Sequence, residues 1–370
     1  MLFRSAGVEP TPAIAFLAAS LGAAAGVVIS ASHNPAGYNG IKLFGRGGTK
    51  LPDATEDAIE AAMGGSPVAE PGRVLPFPDA EATYADHVVA CAEAPLGGMR
   101  VVVDCANGAA SHVAPLALRG LGAEVLAIHD APDGTNINER CGALHPEVVA
   151  AEVRRVGADA GVAFDGDADR ALFADAAGAI VDGDQVLAAC AIAMRDAGTL
   201  PGATVVSTVM ANLGFREAMR DARIRVVETQ VGDRYVLEAM LAEGARLGGE
   251  QSGHVIFLDQ SPTGDGLLTA VRFLSLAARR GVPIASLAGA MTRFPQVLLN
   301  VPADRSRLAG AAAVWDAVAS AEATLGDGGR VLVRASGTED LVRVMVEARA
   351  TADAERHATA IADVVRTACA

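Results

Sequence analysis

Short apolar runs alternate with Ala-rich stretches of helical periodicity along most of the chain. Residues 101–104, Val-Val-Val-Asp, lead through Asn107-Gly108 into a helix predicted over 111–121 and a strand over 123–128. The spacing repeats as strand 161–164 with helix 185–197, and strand 204–208 with helix 213–221. Strand, turn, helix, strand at these separations predicts βαβ units with parallel sheets, whose ligands usually sit at the carboxyl ends of the strands. Near the start, residues 12–21 predict a short helix and 26–30 a strand. The last stretch differs: a helix through Trp315, strands over 331–334 and 341–348, and a final helix from Asp353 predict a small α+β domain. Joints rich in Gly and Pro near 94–98 and 197–202, and at Phe294-Pro295, divide the chain into expected domains 1–94, 95–197, 198–295 and 296–370.

Composition narrows the classes. The 370 residues are 51% hydrophobic and 20% charged, enough apolar material for sizeable cores. A net charge of −14 leaves no broad basic face for a nucleic-acid backbone, though it allows a local cationic pocket. Five scattered cysteines without a Cys-x-x-Cys pair read as reduced and mostly buried. The uncharged run 13–29 imitates a secretory leader, but it is rich in Ala and Gly and resolves into a short helix and a strand, too weak to span a bilayer. A cytoplasmic protein without membrane partners is expected.

Four loops carry chemistry. Ser30-Ala31-Ser32-His33-Asn34-Pro35 follows an apolar strand and places a hydroxyl beside an imidazole, with Lys42 close behind. Alone, such a turn is a weak signal, since most such serines only cap helices or close turns. Asp165-Gly166-Asp167-Ala168-Asp169-Arg170 sets three carboxylates at alternate positions after a buried strand, where they repel unless a hard cation such as Mg²⁺ sits among them. A calcium EF-hand fails, because Arg170 and Ala176 occupy its Gly and Glu positions. A phosphorylated Ser32 would be a natural fourth ligand. Gly249-Glu250-Gln251-Ser252-Gly253-His254 offers Glu250 and Ser252 on one side of an extended loop, suited to adjacent sugar hydroxyls. Arg334-Ala335-Ser336-Gly337-Thr338-Glu339, with Arg343 on the next strand, reads as an anion nest in an acidic chain.

Taken in order, these four loops resemble the α-D-phosphohexomutase family: its phosphoserine, metal, sugar-recognition and phosphate-binding loops. Residues 101–110, 231–240, 248–257 and 336–348 are similar to the bacterial branch that acts on glucosamine phosphates. The resemblance implies three α/β domains with mixed, mostly parallel sheets, the first incomplete, plus a small C-terminal α+β domain. It implies interconversion of glucosamine 6-phosphate and glucosamine 1-phosphate, a step towards UDP-N-acetylglucosamine. Phosphorylated Ser32 would donate to the sugar and regenerate through a hexosamine 1,6-bisphosphate that turns round in the site. Ser32, Asp165, Asp167 and Asp169 would hold Mg²⁺, and His33 and Lys42 would move protons or stabilise charge. Arg170, Glu250 and Ser252 would bind the substrate, with Arg334, Ser336, Gly337, Thr338 and Arg343 anchoring its non-reacting phosphate. A homodimer is compatible with it.

Three departures stand out. Ala335 and Asp340 replace prolines usual around the phosphate loop. The family also begins with a GTDGIRG-like segment, whereas Met1-Leu2-Phe3 resembles a point inside its first domain, so a truncated chain with exposed sheet edges is expected. Alternatives are a phosphomannose or phosphoglucose enzyme of the same family, or a non-catalytic sugar-phosphate binder. An Asp-nucleophile phosphatase accounts poorly for Asp169 and leaves the Ser32 and Ser336 loops without roles.

Overall fold

The computed structural model describes residues 2–65, 72–336 and 339–370. The chain divides into two compact units, residues 1–210 with 219–290, and residues 211–218 with 291–370.

The first unit begins with β1 (Leu2–Ser5), α1 (Thr11–Ser20), β2 (Gly26–Ser30), β3 (Gly40–Phe44), α2 (Asp53–Ala62), β4 (Arg73–Pro76) and α3 (Ala80–Ala90). Here β1 pairs parallel with β4 and β2 antiparallel with β3, as two separate two-stranded pieces. Leu2, Phe3, Val27, Ile29, Ile41 and Val74 are exposed on them. A cleft of about 1030 Å³ is lined by β1, β2 and the Ile14 and Leu17 side chains of α1. Both two-stranded pieces thus present apolar side chains at open edges.

Next come β5 (Arg100–Asp104), α4 (Ala110–Gly120), β6 (Glu124–Ile128), α5 (Pro146–Val156), β7 (Ala160–Phe164), β8 (Ala171–Asp175), β9 (Ile180–Val181) and α6 (Gly183–Asp196). Their sheet runs β6-β5-β7-β8-β9, with β5 parallel to both β6 and β7 and the last two pairings antiparallel. Val101, Val102, Val103, Val162 and Phe164 are wholly buried, which is why these strands read as continuous apolar runs. Helix α6 starts two residues before its predicted position because Asp182 and Gln185 form a reciprocal capping box.

The third stretch holds β10 (Thr204–Thr208), α7 (Leu213–Asp221), β11 (Arg225–Thr229), α8 (Asp233–Glu243), β12 (Leu247–Gly249), β13 (Val255–Phe257), α9 (Gly266–Arg280) and α10 (Ile284–Ala288). The sheet order is β11-β10-β12-β13, parallel except at its β13 edge. Among the described residues no helix is long and apolar enough to cross a membrane.

Asp265 caps α9, accepting from Leu268 N at 2.9 Å and from the buried Tyr84 hydroxyl at 2.7 Å. Burial pushes its carboxyl from 3.8 up to about 6, against the pull of those donors. The native state then holds a proton that the unfolded chain has released, so this group's contribution is complete below pH 4 and is lost as pH rises through 6. Asp265→Asn keeps the acceptor and removes the ionisation. Relative to wild type, the variant is expected to gain on the order of 2–3 kcal/mol between pH 4 and 7.5. A difference in melting temperature that does not change with pH would refute this.

The second unit contains β14 (Gln296–Pro302), α11 (Ala312–Leu325), β15 (Gly329–Ala335), β16 (Leu341–Ala348) and α12 (Thr351–Ala368). Its antiparallel sheet runs β14-β16-β15, and Val301, Val333, Val344, Val314 and Ile361 share one core with α11 and α12. Strand β14 was not legible between Pro295 and Pro302; its alternation emerges only once it pairs with β16. Buried Glu347 accepts from Arg330, Asn212 and Leu213 N, which ties the 211–218 segment to this sheet.

Candidate active site

Strand β7 ends at Phe164, and the acidic loop turns directly out of it. Ala168 takes a left-handed φ of 56°, and Asp165, Asp167 and Asp169 are all buried with carboxylate oxygens within 4.8 Å of one another. Asp167 Oδ2 accepts from Thr11 Oγ1 at 2.6 Å and Lys42 Nζ at 2.5 Å, and Lys42 also reaches Asp169 Oδ2 at 3.2 Å. Arg170 Nε lies 3.8 Å from Asp169 and 4.0 Å from Asp165. One oxygen of each aspartate, Asp165 Oδ2, Asp167 Oδ1 and Asp169 Oδ1, is buried without a hydrogen-bond partner. Burial, then Asp169 and Asp167, hold the Asp165 carboxyl well above the usual range. Burial also works to raise Asp169, but Lys42, His254 and Arg170 outweigh it and keep that group ionised. Three convergent, underused hard oxygens fit a divalent cation.

The serine loop meets this one at Gly166. A Cβ there would lie 2.5 Å from the Ser32 carbonyl oxygen, so only glycine allows the two backbones to approach. Ser32 itself is left-handed, φ 52°, with its N–H donated to Ser30 Oγ at 2.9 Å. His33 Nδ1 is buried without a partner, and burial followed by Arg170 lowers the pKa of its imidazole.

The Glu250 loop arrives from the other side. Ala171 N donates to the Gly253 carbonyl at 3.1 Å, and Gly183 N to the Gln251 carbonyl at 3.1 Å. Gly253, φ 91°, leaves no room for a Cβ beside the Ala171 carbonyl. Glu250 Oε1 accepts from Gly232 N at 3.1 Å, whereas Ser252 Oγ is buried without a hydrogen-bond partner. The structure thus gathers Ser32, His33, Lys42, the three aspartates, Arg170, Glu250 and Ser252 around the loop after β7.

In the second unit Arg334 on β15 lies directly opposite Arg343 on β16. Like charges placed across a ladder repel. Burial and Arg343 together lower the pKa of the Arg334 guanidinium, and Arg343 Nε is buried without a hydrogen-bond partner. Ser336 is buried and receives Glu339 N on its Oγ at 3.3 Å. Gly337 and Thr338 lie outside the described residues.

Models of the four domains of phosphoglucomutase/phosphomannomutase match successive parts of the chain: alpha/beta/alpha domain I at 3–66, domain II at 82–178, domain III at 182–294 and the C-terminal domain at 298–364. The chain belongs to the phosphoglucomutase/phosphomannomutase family. It is 56% identical over 98% of its length to the phosphoglucosamine mutase of Frankia alni, covering 81% of that protein, and 54% identical over 97% of its length to that of Thermobifida fusca, again covering 81%. A phosphoglucomutase/phosphomannomutase family protein from Burkholderia thailandensis superimposes with TM-score 0.81 at 25% identity, over 99% of this chain and 82% of that one. The N-acetylphosphoglucosamine mutase of Aspergillus fumigatus, solved with GlcNAc-6P and magnesium, shares the fold with TM-score 0.77 at 20% identity over 97% and 93%.

Sequence reasoning missed three polar side chains around these phosphoglucomutase/phosphomannomutase loops. Thr11 hydrogen-bonds Asp167 through both its side chain and its N–H. Asn138 donates to the carbonyls of Ser32 and Asn34. Arg305 Nη1 donates to the Ser336 carbonyl at 2.6 Å. Only Thr11, the first residue of α1 and followed by Pro12, carried a local signal, and that signal was for a helix start.

Proposed function

We propose that this chain interconverts glucosamine 6-phosphate and glucosamine 1-phosphate by way of a phosphoserine at Ser32 and a 1,6-bisphosphate. The supporting observation is the 53–56% identity, over 97–98% of the chain, to relatives named phosphoglucosamine mutase. The loop geometry suits the chemistry. The P–Oγ bond at Ser32 breaks as a sugar hydroxyl forms a new bond to phosphorus; the hydroxyl proton passes to His33, whose Nδ1 is unpartnered, and a proton returned from His33 converts the leaving Ser32 Oγ into a hydroxyl. Lys42 supplies positive charge beside the acidic loop. Asp165, Asp167 and Asp169 would hold Mg²⁺, which when bound neutralises charge on the transferring group. Glu250 and Ser252 contact the sugar hydroxyls in both orientations. Arg334, Arg343 and Ser336, with Gly337 and Thr338, hold the non-reacting phosphate, the anion that relieves the repulsion between the two facing guanidiniums.

The free cysteines, four of them buried, suit a reducing cytoplasm. The deciding assay compares turnover of glucosamine 6-phosphate with that of mannose and glucose phosphates, alongside phosphopeptide mass spectrometry of Ser32. Faster turnover of a neutral hexose phosphate would overturn the substrate assignment; binding without turnover would overturn catalysis. Replacing Arg343 with Ala is expected to raise KM about 10–100-fold, corresponding to the loss of a charged hydrogen bond worth ~1.5–3 kcal/mol. An unchanged KM would remove Arg343 from the anchor.

A further inference from the structure

Residues 129–142 form a loop after β6 that is pinned at both ends to one carboxylate. Asp104, wholly buried at the end of β5, accepts from His129 Nδ1 at 3.1 Å and Ala106 N at 3.0 Å on Oδ1, and from Gly142 N at 3.0 Å on Oδ2. Between these ends Asn138, only 8% exposed, takes a left-handed φ of 59° and donates its N–H to the Ala106 carbonyl at 2.9 Å. Its side-chain amide points away from this post and into the serine loop. Nδ2 donates to the Ser32 carbonyl at 2.8 Å and to the Asn34 carbonyl at 2.9 Å, so both amide protons are used and the two acceptors fix which end of the amide faces the loop. A Cβ on Gly166 would fall 2.8 Å from the same Nδ2. The amide is therefore wedged where the serine loop and the acidic loop touch.

Ser32 needs such a support. A left-handed serine costs roughly 1–2 kcal/mol and persists only where its surroundings over-determine it. Its N–H is held by Ser30 within the same loop, whereas its carbonyl is held by Asn138, 106 residues away. We propose that Asn138 is a positioning residue for phosphoryl transfer: its amide clamps the carbonyls of Ser32 and Asn34 and so fixes the strained conformation that aims Ser32 Oγ. The proposal rests on Ser32 being the phosphoryl carrier. Asn138 touches neither substrate nor phosphate in this role, so its loss reduces the rate of transfer and not the affinity for sugar phosphate.

The test uses the full chain with Asn138→Gly, which keeps the left-handed backbone unstrained and removes the amide, and Asn138→Asp, which keeps the volume and replaces the donors with acceptors facing two carbonyls. In both, kcat is expected to fall about 10–100-fold with KM changed less than about threefold. Phosphorylation of Ser32 by added glucosamine 1,6-bisphosphate is expected to slow in parallel. Amides of residues 30–36 are expected to exchange with deuterium about tenfold faster or more, while peptides from β5 and β7 keep the wild-type rate. Wild-type exchange over 30–36 in either variant overturns the clamp, as does a loss carried mainly by KM. If Asn138→Gly loses cooperative unfolding, Asn138→Asp carries the same readouts. A wild-type protein that gains no phosphate on Ser32 after glucosamine 1,6-bisphosphate is added would refute the mutase reading, and the exchange measurement would still decide whether the clamp exists.

Discussion

Ser32→Ala is expected to remove mutase turnover by about four orders of magnitude or more, since the proposed cycle passes the phosphoryl group through the Ser32 hydroxyl. The fold should survive. The loop's contacts at this residue are made by backbone: the N–H to Ser30 Oγ, and the carbonyl accepting from Asn138. Alanine meets the same left-handed φ of 52° at a cost similar to serine's, so the melting temperature should stay within about 2 °C of wild type. The phosphopeptide containing residue 32 should disappear along with activity. Turnover at the wild-type rate would refute the phosphoserine assignment outright.

Asp167→Asn should produce the next largest loss. Asp167 takes two side-chain hydrogen bonds on one oxygen: Thr11 from α1 and Lys42 from β3 both meet Oδ2, and Oδ1 is left without a hydrogen-bond partner. Asparagine preserves the shape and one oxygen but removes a charge. We expect kcat to fall about 10²–10³-fold. A second readout is independent of turnover. Saturating Mg²⁺ binds the native state and should raise the melting temperature of wild type, and by less in Asp167→Asn. Equal stabilisation of both proteins by Mg²⁺ would remove Asp167 from the cation site.

The parts of the site legible in the sequence are those in which the chemistry is local. Three aspartates at alternate positions after an apolar strand announce a charge problem within six residues, and the structure leaves one oxygen of each unsatisfied. The Ser-x-Ser turn after β2 could be seen, but its left-handed serine could not, because that conformation is held by a hydrogen bond from position 138. Thr11 shows the same limit. Its residue type and its place before a proline predict only a helix start, while its hydroxyl lies 2.6 Å from a carboxylate 156 positions further on. Strands β5, β7 and β10 were readable because burial on both faces gives each an apolar centre of small and β-branched residues. The pieces β1, β3 and β4 were not, being too exposed to carry a period.

By itself the sequence determined the alternation of strand and helix, the four reactive loops and their order, since propensity, periodicity and the spacing of charged groups act over a few residues. Only the tertiary structure decided which loops face one another. Gly166 brings Ser32 against the acidic loop, Gly253 seats the Glu250 loop on Ala171, and the register of β15 and β16 sets Arg334 opposite Arg343. These juxtapositions follow from sheet order and the close approach of backbones. Both arise from packing between segments some 80 or more residues apart, or from a strand register that no local pattern encodes.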